Sequence, residues 1–511
     1  MKYAEGKNRY IQILVLLLIG TGVYLFSGQE WMVLEKDSYT YLNATIGNIG
    51  VMPVYPFFLS VLKYFFGENL YLDAAVVIQS VIAILCTVIF VLYLQSVFRL
   101  RFLEMILFYI AAMLPYAIDL PKVCVTHQLI TESLAFSLFY IYFICLMQYV
   151  LFKKRKWLFV TLGMVVLMAL TRSQLIFLFI VTAVFFVGTE FAGEWKVKGI
   201  KKWLKAGRNF LLSIVAAYLL VLVVYQLREG YVVYVHPAIN NRNQEVSASE
   251  SNSEEKANAS AVDSEKVKNQ KKVSQMTHLI IIRGFYQADE EDIALFDTPE
   301  MQEIFQRVYD EVDKREFRYE YAEPGLYMWK DLVKDKIPGA AGEAINHYLT
   351  ENPDAEIDKE KVMRELGMKV LLKHFDRYLY HSVRLMIVGF ISSVFFQIEK
   401  IYLLCHFITL FLFVLTIVCM LYCMKYNGEK KVVAFAGATV GFICMLVAVI
   451  TFVFVPLQRY MVYAMGIFYC SLYLLMKESL LITAERFPDN RLLALAVNIL
   501  DGQADQRNSN P

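Results

Sequence analysis

The chain has 511 residues, 58% of them apolar and 19% charged, with a formal net charge of +2. A soluble protein of this length does not carry its apolar residues in unbroken blocks of about sixteen or more, so an aqueous globular fold is excluded. The near balance of charge excludes a general polyanion-binding character, and nucleic acid is not an expected partner.

Taken in chain order, the apolar blocks lie at residues 11–26, 74–98, 103–118, 129–152, 157–171, 173–188, 210–227, 401–424, 432–455 and 461–476. A helix rises about 1.5 Å per residue and the hydrocarbon layer is roughly 30 Å thick, so each block is a candidate span. The pattern predicts an α-helical polytopic membrane protein with about ten transmembrane helices. The two blocks flanking Arg172 are short, and they either cross a locally thinned bilayer or turn back together, which leaves later orientation unchanged. The first block has a basic flank like a signal peptide, but Leu25-Phe26-Ser27-Gly28 offers no small-x-small cleavage site, so it is an uncleaved first span.

Lys and Arg near span ends are retained on the cytoplasmic side. With Lys2, Lys7 and Arg9 inside, the clusters at Arg99 and Arg101, at Lys153, Lys154, Arg155 and Lys156, at 196–208, and at Lys425, Lys430, Lys431 and Lys477 all fall inside as well. The other short loops hold only Lys36, Lys63, Lys122, Arg172 and Arg459. Both termini are therefore expected in the cytoplasm and residues 228–400 outside. Residues 53–67, which include Lys63, and 383–396, which include Arg384, are apolar but too short to cross, and suit helices lying in the outer interface.

The outer segment divides in two. Residues 240–272 are dominated by Asn, Ser, Glu, Lys and Gln and cannot bury enough apolar surface to order themselves. Beyond them, Asp297-Thr298-Pro299-Glu300 is a helix start with a capping side chain and Pro in the first turn, and Asp358 precedes a second helical run to about Tyr380. The expected organisation is a membrane module at 1–227 bearing an outer-loop active site, an extracytoplasmic helical domain at 228–400, a second membrane module at 401–476 and a cytoplasmic tail at 477–511. The compact layout with its polar insertion has a bacterial look, in a cell membrane.

The chain has no Gly-rich nucleotide fingerprint, no Cys/His metal array and no Gly-x-Ser-x-Gly elbow. Seven of the eight cysteines lie within apolar blocks, where a thiol behaves as a small apolar side chain, and only Cys124 falls in an outer loop. What stands out is acid just outside the membrane: Glu30, Glu35 and Asp37 after the first span, then Asp119 and Glu132 about the fourth. Acids in a wet loop are usually solvated surface, but these lie at span ends beside aromatic and Pro-rich sequence, as a cleft would require. His127, between Asp119 and Glu132, is a candidate metal ligand, although a lone loop histidine is more often simply solvated.

Asp37-Ser38-Tyr39-Thr40-Tyr41, followed by Pro53-Val54-Tyr55-Pro56-Phe57-Phe58 and Tyr64-Phe65-Phe66-Gly67, resembles the first outer loop of the polytopic glycosyltransferases of the GT-C fold, in particular those like family 39. The similarity continues through Leu129-Ile130-Thr131-Glu132-Ser133-Leu134, Ala169-Leu170-Thr171-Arg172-Ser173 and Gln458-Arg459-Tyr460-Met461. It covers roughly residues 1–227 and is weak over the outer domain. Members such as the protein mannosyltransferases and lipid A aminoarabinose transferases move a sugar from a polyprenyl phosphate to an acceptor outside the cytoplasm.

The resemblance implies a catalytic carboxylate in the first outer loop, here Asp37, with Glu35 and Glu132 as further catalytic candidates. The family often has two adjacent acids; here Ser38 follows Asp37, which leaves open both the role of Glu35 and the need for a divalent metal, the one cofactor in question. The chemistry agrees: a polyprenyl-phosphate donor carries its own leaving group, so the protein needs a carboxylate to deprotonate the acceptor and cations to hold the phosphate. Arg172, Arg459, Lys122 and Arg384 are the candidate phosphate-binding residues, each with the alternative of snorkelling to lipid headgroups. The expected partners are the donor, an extracytoplasmic glycan, lipid or protein acceptor, and membrane lipids. The competing reading is a transporter or flippase of lipid-linked saccharides, against which stand the scarcity of midplane charges and of Gly/Pro breaks.

Overall fold

The computed structural model describes residues 2–26, 31–42, 52–119, 123–194, 207–208, 210–224, 275–321, 336–355, 357–396, 401–453, 458–491 and 493. Glu30, Lys122, the polar stretch 240–272 and most of the basic cluster 196–208 lie outside the described residues. The described chain is helical, with a single parallel bridge between Val33 and Gln128. It forms two compact units: Met1–Val235, Phe390–Val447 and Gln458–Pro511 make the first, and His236–Gly389 with Ala448–Leu457 the second.

Each of the ten apolar blocks is helical over most of its described length, with Ile118 in a turn and Leu129 and Ile130 ahead of their helix. Among the described residues, six helices are long and apolar enough to cross a membrane: Val54–Phe98, Thr131–Phe152, Ser173–Glu190, Leu403–Lys425, Lys430–Phe452 and Arg459–Arg486. They mark a multi-pass membrane protein. The blocks at 11–26, 103–118 and 210–227 correspond to the shorter apolar helices Arg9–Tyr24, Phe102–Ala117 and Phe210–Val224, and 157–171 to Arg155–Thr171. A further short apolar helix, Met276–Phe285, was not expected from the sequence.

In the first unit, α1 (Lys2–Phe26) is followed by the short α2 (Lys36–Leu42) and the long α3 (Val54–Phe98). Gly67 interrupts α3 with φ 74° and ψ 174°, a conformation that costs glycine little and other residues much. The break divides residues 54–66, at the expected in-plane segment, from the apolar run that follows. Helices α4 (Phe102–Met113), α5 (Thr131–Phe152), α6 (Arg155–Thr171) and α7 (Leu178–Glu194) come next. The turn after α3 is made by Arg99, and that after α5 by Lys153; both take a left-handed conformation and donate their N–H to the carbonyl four residues back, 2.8 Å away. A cation at these helix ends is favoured by the backbone dipole.

Close packing pairs α4 with the last long helix, Met465–Arg486. A Cβ on Gly466 would lie 2.6 Å from the Ala111 carbonyl oxygen and 2.7 Å from Ala112 Cα, so only glycine permits the approach. The far end of the pair is tied by Glu104, which accepts from Lys477 Nζ at 2.7 Å and from the Tyr473 hydroxyl at 3.0 Å.

The second unit contains α9 (Gln275–Phe285), α10 (Pro299–Lys314), α11 (Lys336–Glu351) and α12 (Lys359–Lys373), with α8 reserved for Phe210–Val224 of the first unit. Both expected helix starts are present: Thr298 accepts from the Met301 N–H with Pro299 in the first turn, and Asp358 accepts from the N–H groups of Glu360 and Lys361. The core joins Ile281 and Phe285 to Phe305, Val308, Ile345 and Leu366. Gly284 and Gly367 bring α9 and α12 into backbone contact, since a Cβ on either would meet the other helix's main chain at 3.0 Å or less. The run after Asp358 does not continue unbroken to Tyr380: it stops at Lys373 and restarts as α13 (Phe375–Val394). At the break, His374 Nε2 approaches the wholly buried Asp292 carboxylate to 2.9 Å while Lys373 Nζ reaches it at 2.6 Å. The apolar segment at 383–396 is thus the end of a longer helix that begins at Phe375, not a separate one.

Candidate active site

Segment 31–42 lies against the strand-like loop 123–130. The Val33 N–H donates to the His127 carbonyl at 3.1 Å, and the Trp31 indole N–H donates to Asp73 at 3.2 Å. The loop is fastened from α3 by Gln79, buried, whose amide donates to the carbonyls of Thr126 and, at 3.0 Å, Gln128. Ser133 Oγ donates back to the Val125 carbonyl at 2.8 Å, and the Gln128 amide to Asp119 at 2.7 Å. His127 is not a solvated loop residue: it is buried, with the Trp31 ring 5.2 Å and the Tyr24 ring 6.4 Å from its own.

These ties fix the start of α5, and with it Glu132 in the first helical turn, where the backbone dipole favours a negative charge. Arg172 caps the C-terminus of α6, where the same dipole favours a cation. The two meet as an ion pair between Arg172 Nη1 and Glu132 Oε2, with side-chain exposures of 9% and 1%. Thr131 Oγ1 accepts from Arg172 Nη1 at 3.0 Å and donates to Glu132 at 3.1 Å, and Gln174 accepts from Arg172 Nε at 2.8 Å. Arg459 approaches the other carboxylate oxygen, its Nε 3.3 Å from Glu132 Oε1, while its Nη2 donates to Asp37 Oδ2 at 2.9 Å. The Tyr460 ring lies under both guanidinium groups, with centroid distances of 4.6 Å to Arg172 and 5.3 Å to Arg459.

Four charged groups from distant parts of the chain therefore form one line: Asp37, Arg459, Glu132, Arg172. The line is neutral as a set and graded in exposure, from buried Glu132 and Arg172 to Arg459 at 26% and Asp37 at 43%. Burial acts to lower the proton affinity of Arg172, but Glu132, then Tyr463, Tyr460 and Tyr41, outweigh it and raise the guanidinium above its ordinary value. Tyr41 donates to or accepts from Thr131 at 3.3 Å; its phenol is pushed up, first by burial and then by Glu132, so it stays protonated as a neutral hydrogen-bonding wall of the site.

Of the residues singled out from the sequence, Asp37, Glu132, Arg172 and Arg459 are brought together. Glu35 enters through its backbone: its N–H donates to Ser38 Oγ at 2.9 Å and its carbonyl accepts from the Ser38 N–H at 2.8 Å, which closes the first turn of α2. Arg384 belongs to the second unit, with its guanidinium 5.8 Å from the Tyr380 ring centroid. Lys122 lies outside the described residues. Thr131, Tyr41, Tyr460 and Gln174 are site residues that carry no charge and were not among those expected, although the first three stand inside the motifs that carry the resemblance. Among the described residues there is no group of three His, Cys, Asp or Glu side chains placed to hold a metal ion. No family model, no curated protein and no solved structure matches the chain.

Proposed function

We propose that this chain is a membrane glycosyltransferase of the GT-C kind, which moves a sugar from a polyprenyl-phosphate donor to a glycan, lipid or protein acceptor outside the cytoplasm. The observation that carries the reading is the half-exposed pair of Asp37 and Arg459, backed by the buried pair of Glu132 and Arg172. A transferase of this type needs one accessible carboxylate and one accessible cation a few ångströms apart, and this pair supplies both. In the reaction Asp37 takes the proton of the acceptor hydroxyl as its oxygen bonds to the anomeric carbon. The bond from that carbon to the phosphate oxygen breaks, and the electron pair leaves on the phosphate, which becomes a phosphomonoester held by Arg459. Glu132 and Arg172 act through Arg459: they are buried, and their task is to fix its guanidinium. The ten-helix arrangement with both termini inside and residues 228–400 outside belongs to the same proposal, since a lipid-borne donor serves an acceptor where sugar nucleotides are absent.

The test is Asp37→Asn, which keeps size and hydrogen-bonding capacity while removing the basic oxygen. General-base contributions are about a hundred- to ten-thousand-fold, so transfer from a purified polyprenyl-phosphate sugar pool should fall by at least about two decades with donor retention intact. Release of free polyprenyl phosphate in step with acceptor glycosylation distinguishes a transferase from a transporter. Full transfer by the Asn variant would sink the mechanism.

A further inference from the structure

The phosphate seat on Arg459 is already occupied, and by the group proposed to be the base. Resting on the transferase reading, we propose that the Asp37 carboxylate is a built-in placeholder for the phosphate of the lipid ligand: phosphate binding at Arg459 displaces Asp37 and so releases it to receive the acceptor's proton.

Three observations support this. The first is charge. Asp37 and Glu132 carry two negative charges and Arg172 and Arg459 two positive ones, so the set is balanced without ligand. A phosphate added beside Arg459 leaves an excess of negative charge in a site whose inner half is buried, and that excess is relieved when Asp37 turns out to water. The second is mobility. Glu132 is locked by Arg172 and Thr131 and cannot follow solvent, whereas Asp37 is 43% exposed, so of the two acids on Arg459 it is the one free to leave. The third is retention of the seat. When Asp37 departs, Arg459 is still opposite Glu132 Oε1 and over the Tyr460 ring, so the guanidinium stays in place to meet the ligand. Its Nε stays turned to Glu132 at 3.3 Å, and the Nη2 that Asp37 vacates is the donor left for a phosphate oxygen.

The sequence of events then has a direction. The donor is a phosphodiester with one negative charge, and transfer converts it to a phosphomonoester that carries up to two near neutral pH, so the product holds Arg459 more strongly than the donor did. Asp37, having passed its proton to water, is the counter-ion that competes the product off and resets the site.

The proposal predicts competition, which ordinary base catalysis does not. Binding of farnesyl phosphate to the detergent-purified full chain is measured for the natural protein, Asp37→Asn, Arg459→Gln and the double variant, with farnesol as the uncharged control. Loss of a half-exposed carboxylate competitor should tighten farnesyl phosphate binding about fivefold in Asp37→Asn. Arg459→Gln should weaken it by about one to two decades, and Asp37→Asn should bring no gain in that background. If Arg459→Gln does not fold, Arg459→Lys takes its place, because it keeps a cation opposite Glu132; it should bind less tightly, with a smaller gain from Asp37→Asn. Unchanged or weaker binding by Asp37→Asn, with Arg459 still required, overturns the placeholder and leaves the transferase reading standing. Equal binding of farnesol and farnesyl phosphate, or no binding of either, overturns both.

Discussion

Glu132→Gln is the substitution that separates the buried from the exposed half of the charge line. It preserves volume and removes one charge, which leaves Arg172, 9% exposed, with Thr131 and Gln174 as hydrogen-bond partners and no counter-ion. A buried pair broken from one side costs about 3–5 kcal/mol, because the surviving charge stays desolvated. The same chemical change at Asp37, whose pair is 43% and 26% exposed, should cost only about 0–1 kcal/mol. The expected outcome is therefore a large fall in thermal stability for Glu132→Gln and a small one for Asp37→Asn, read by tryptophan fluorescence or by protease resistance of the detergent-solubilised chain. Glu132→Gln combined with Arg172→Gln should be less damaging than Glu132→Gln alone, since the second change removes the stranded cation. A Glu132→Gln protein that melts with the natural one would refute the reasoning: Glu132 would then not be what neutralises Arg172.

Three further outcomes follow from particular contacts. Gly284→Ala should destabilise the second unit by about 1–3 kcal/mol or more, because its methyl would meet the Gly367 carbonyl at 2.5 Å and neither helix backbone can yield cheaply; hydrogen exchange in α9 and α12 reports it. His381 is buried beside Arg384, Arg283 and Arg377, and burial followed by those three charges lowers its proton affinity from the ordinary 6.5. A folded value below the unfolded one means that its stabilising contribution is complete above about pH 6.5 and is lost as pH falls through the folded value. Exchange protection around α13 should accordingly weaken in mild acid, and His381→Phe should flatten that dependence. For topology, a cysteine placed at Ser251 should react with an impermeant thiol reagent from outside and one at Lys201 should not, in a background without the eight native cysteines. Reversed labelling would overturn the orientation.

The helical architecture was legible because hydropathy over about sixteen or more residues is a one-dimensional property, and every block so marked is helical over most of its described length. The joints were less legible. The break at Gly67 falls at the end of the expected segment 53–67, which the sequence already separates from the block at 74–98; what it does not show is that the two halves run on as one element through a residue with φ 74°. The break at His374 has no sequence signal of its own kind: neither Gly nor Pro is present, and what accompanies it is a long-range contact with Asp292, 82 residues away. Helix α9 escaped notice because eleven residues are too few for a hydropathy window, although its apolar face supplies Ile281 and Phe285 to the core.

The site was legible as a set of charges but not as a set of pairs, and Ser38 shows why the pairing matters. Asp37 without an acidic neighbour looked from the sequence like a departure from the adjacent-acid pattern. In the folded chain position 38 is fully buried, and its hydroxyl accepts from the Glu35 N–H that opens α2. A carboxylate there could still accept that bond, as Asp does at helix starts, but it would do so as a buried anion. It would also stand one residue from a line in which two acids already balance two guanidinium groups, with no third cation to meet it among the described ion pairs. The desolvation of an unpaired charge costs far more than one capping bond returns. Serine gives the helix its start and leaves the charge balance intact, so the single-acid loop follows from the geometry that keeps Asp37 paired with Arg459. Ser38→Asp should, by the same reasoning, loosen α2 and shift Arg459 away from Asp37 sooner than it adds a second accessible carboxylate.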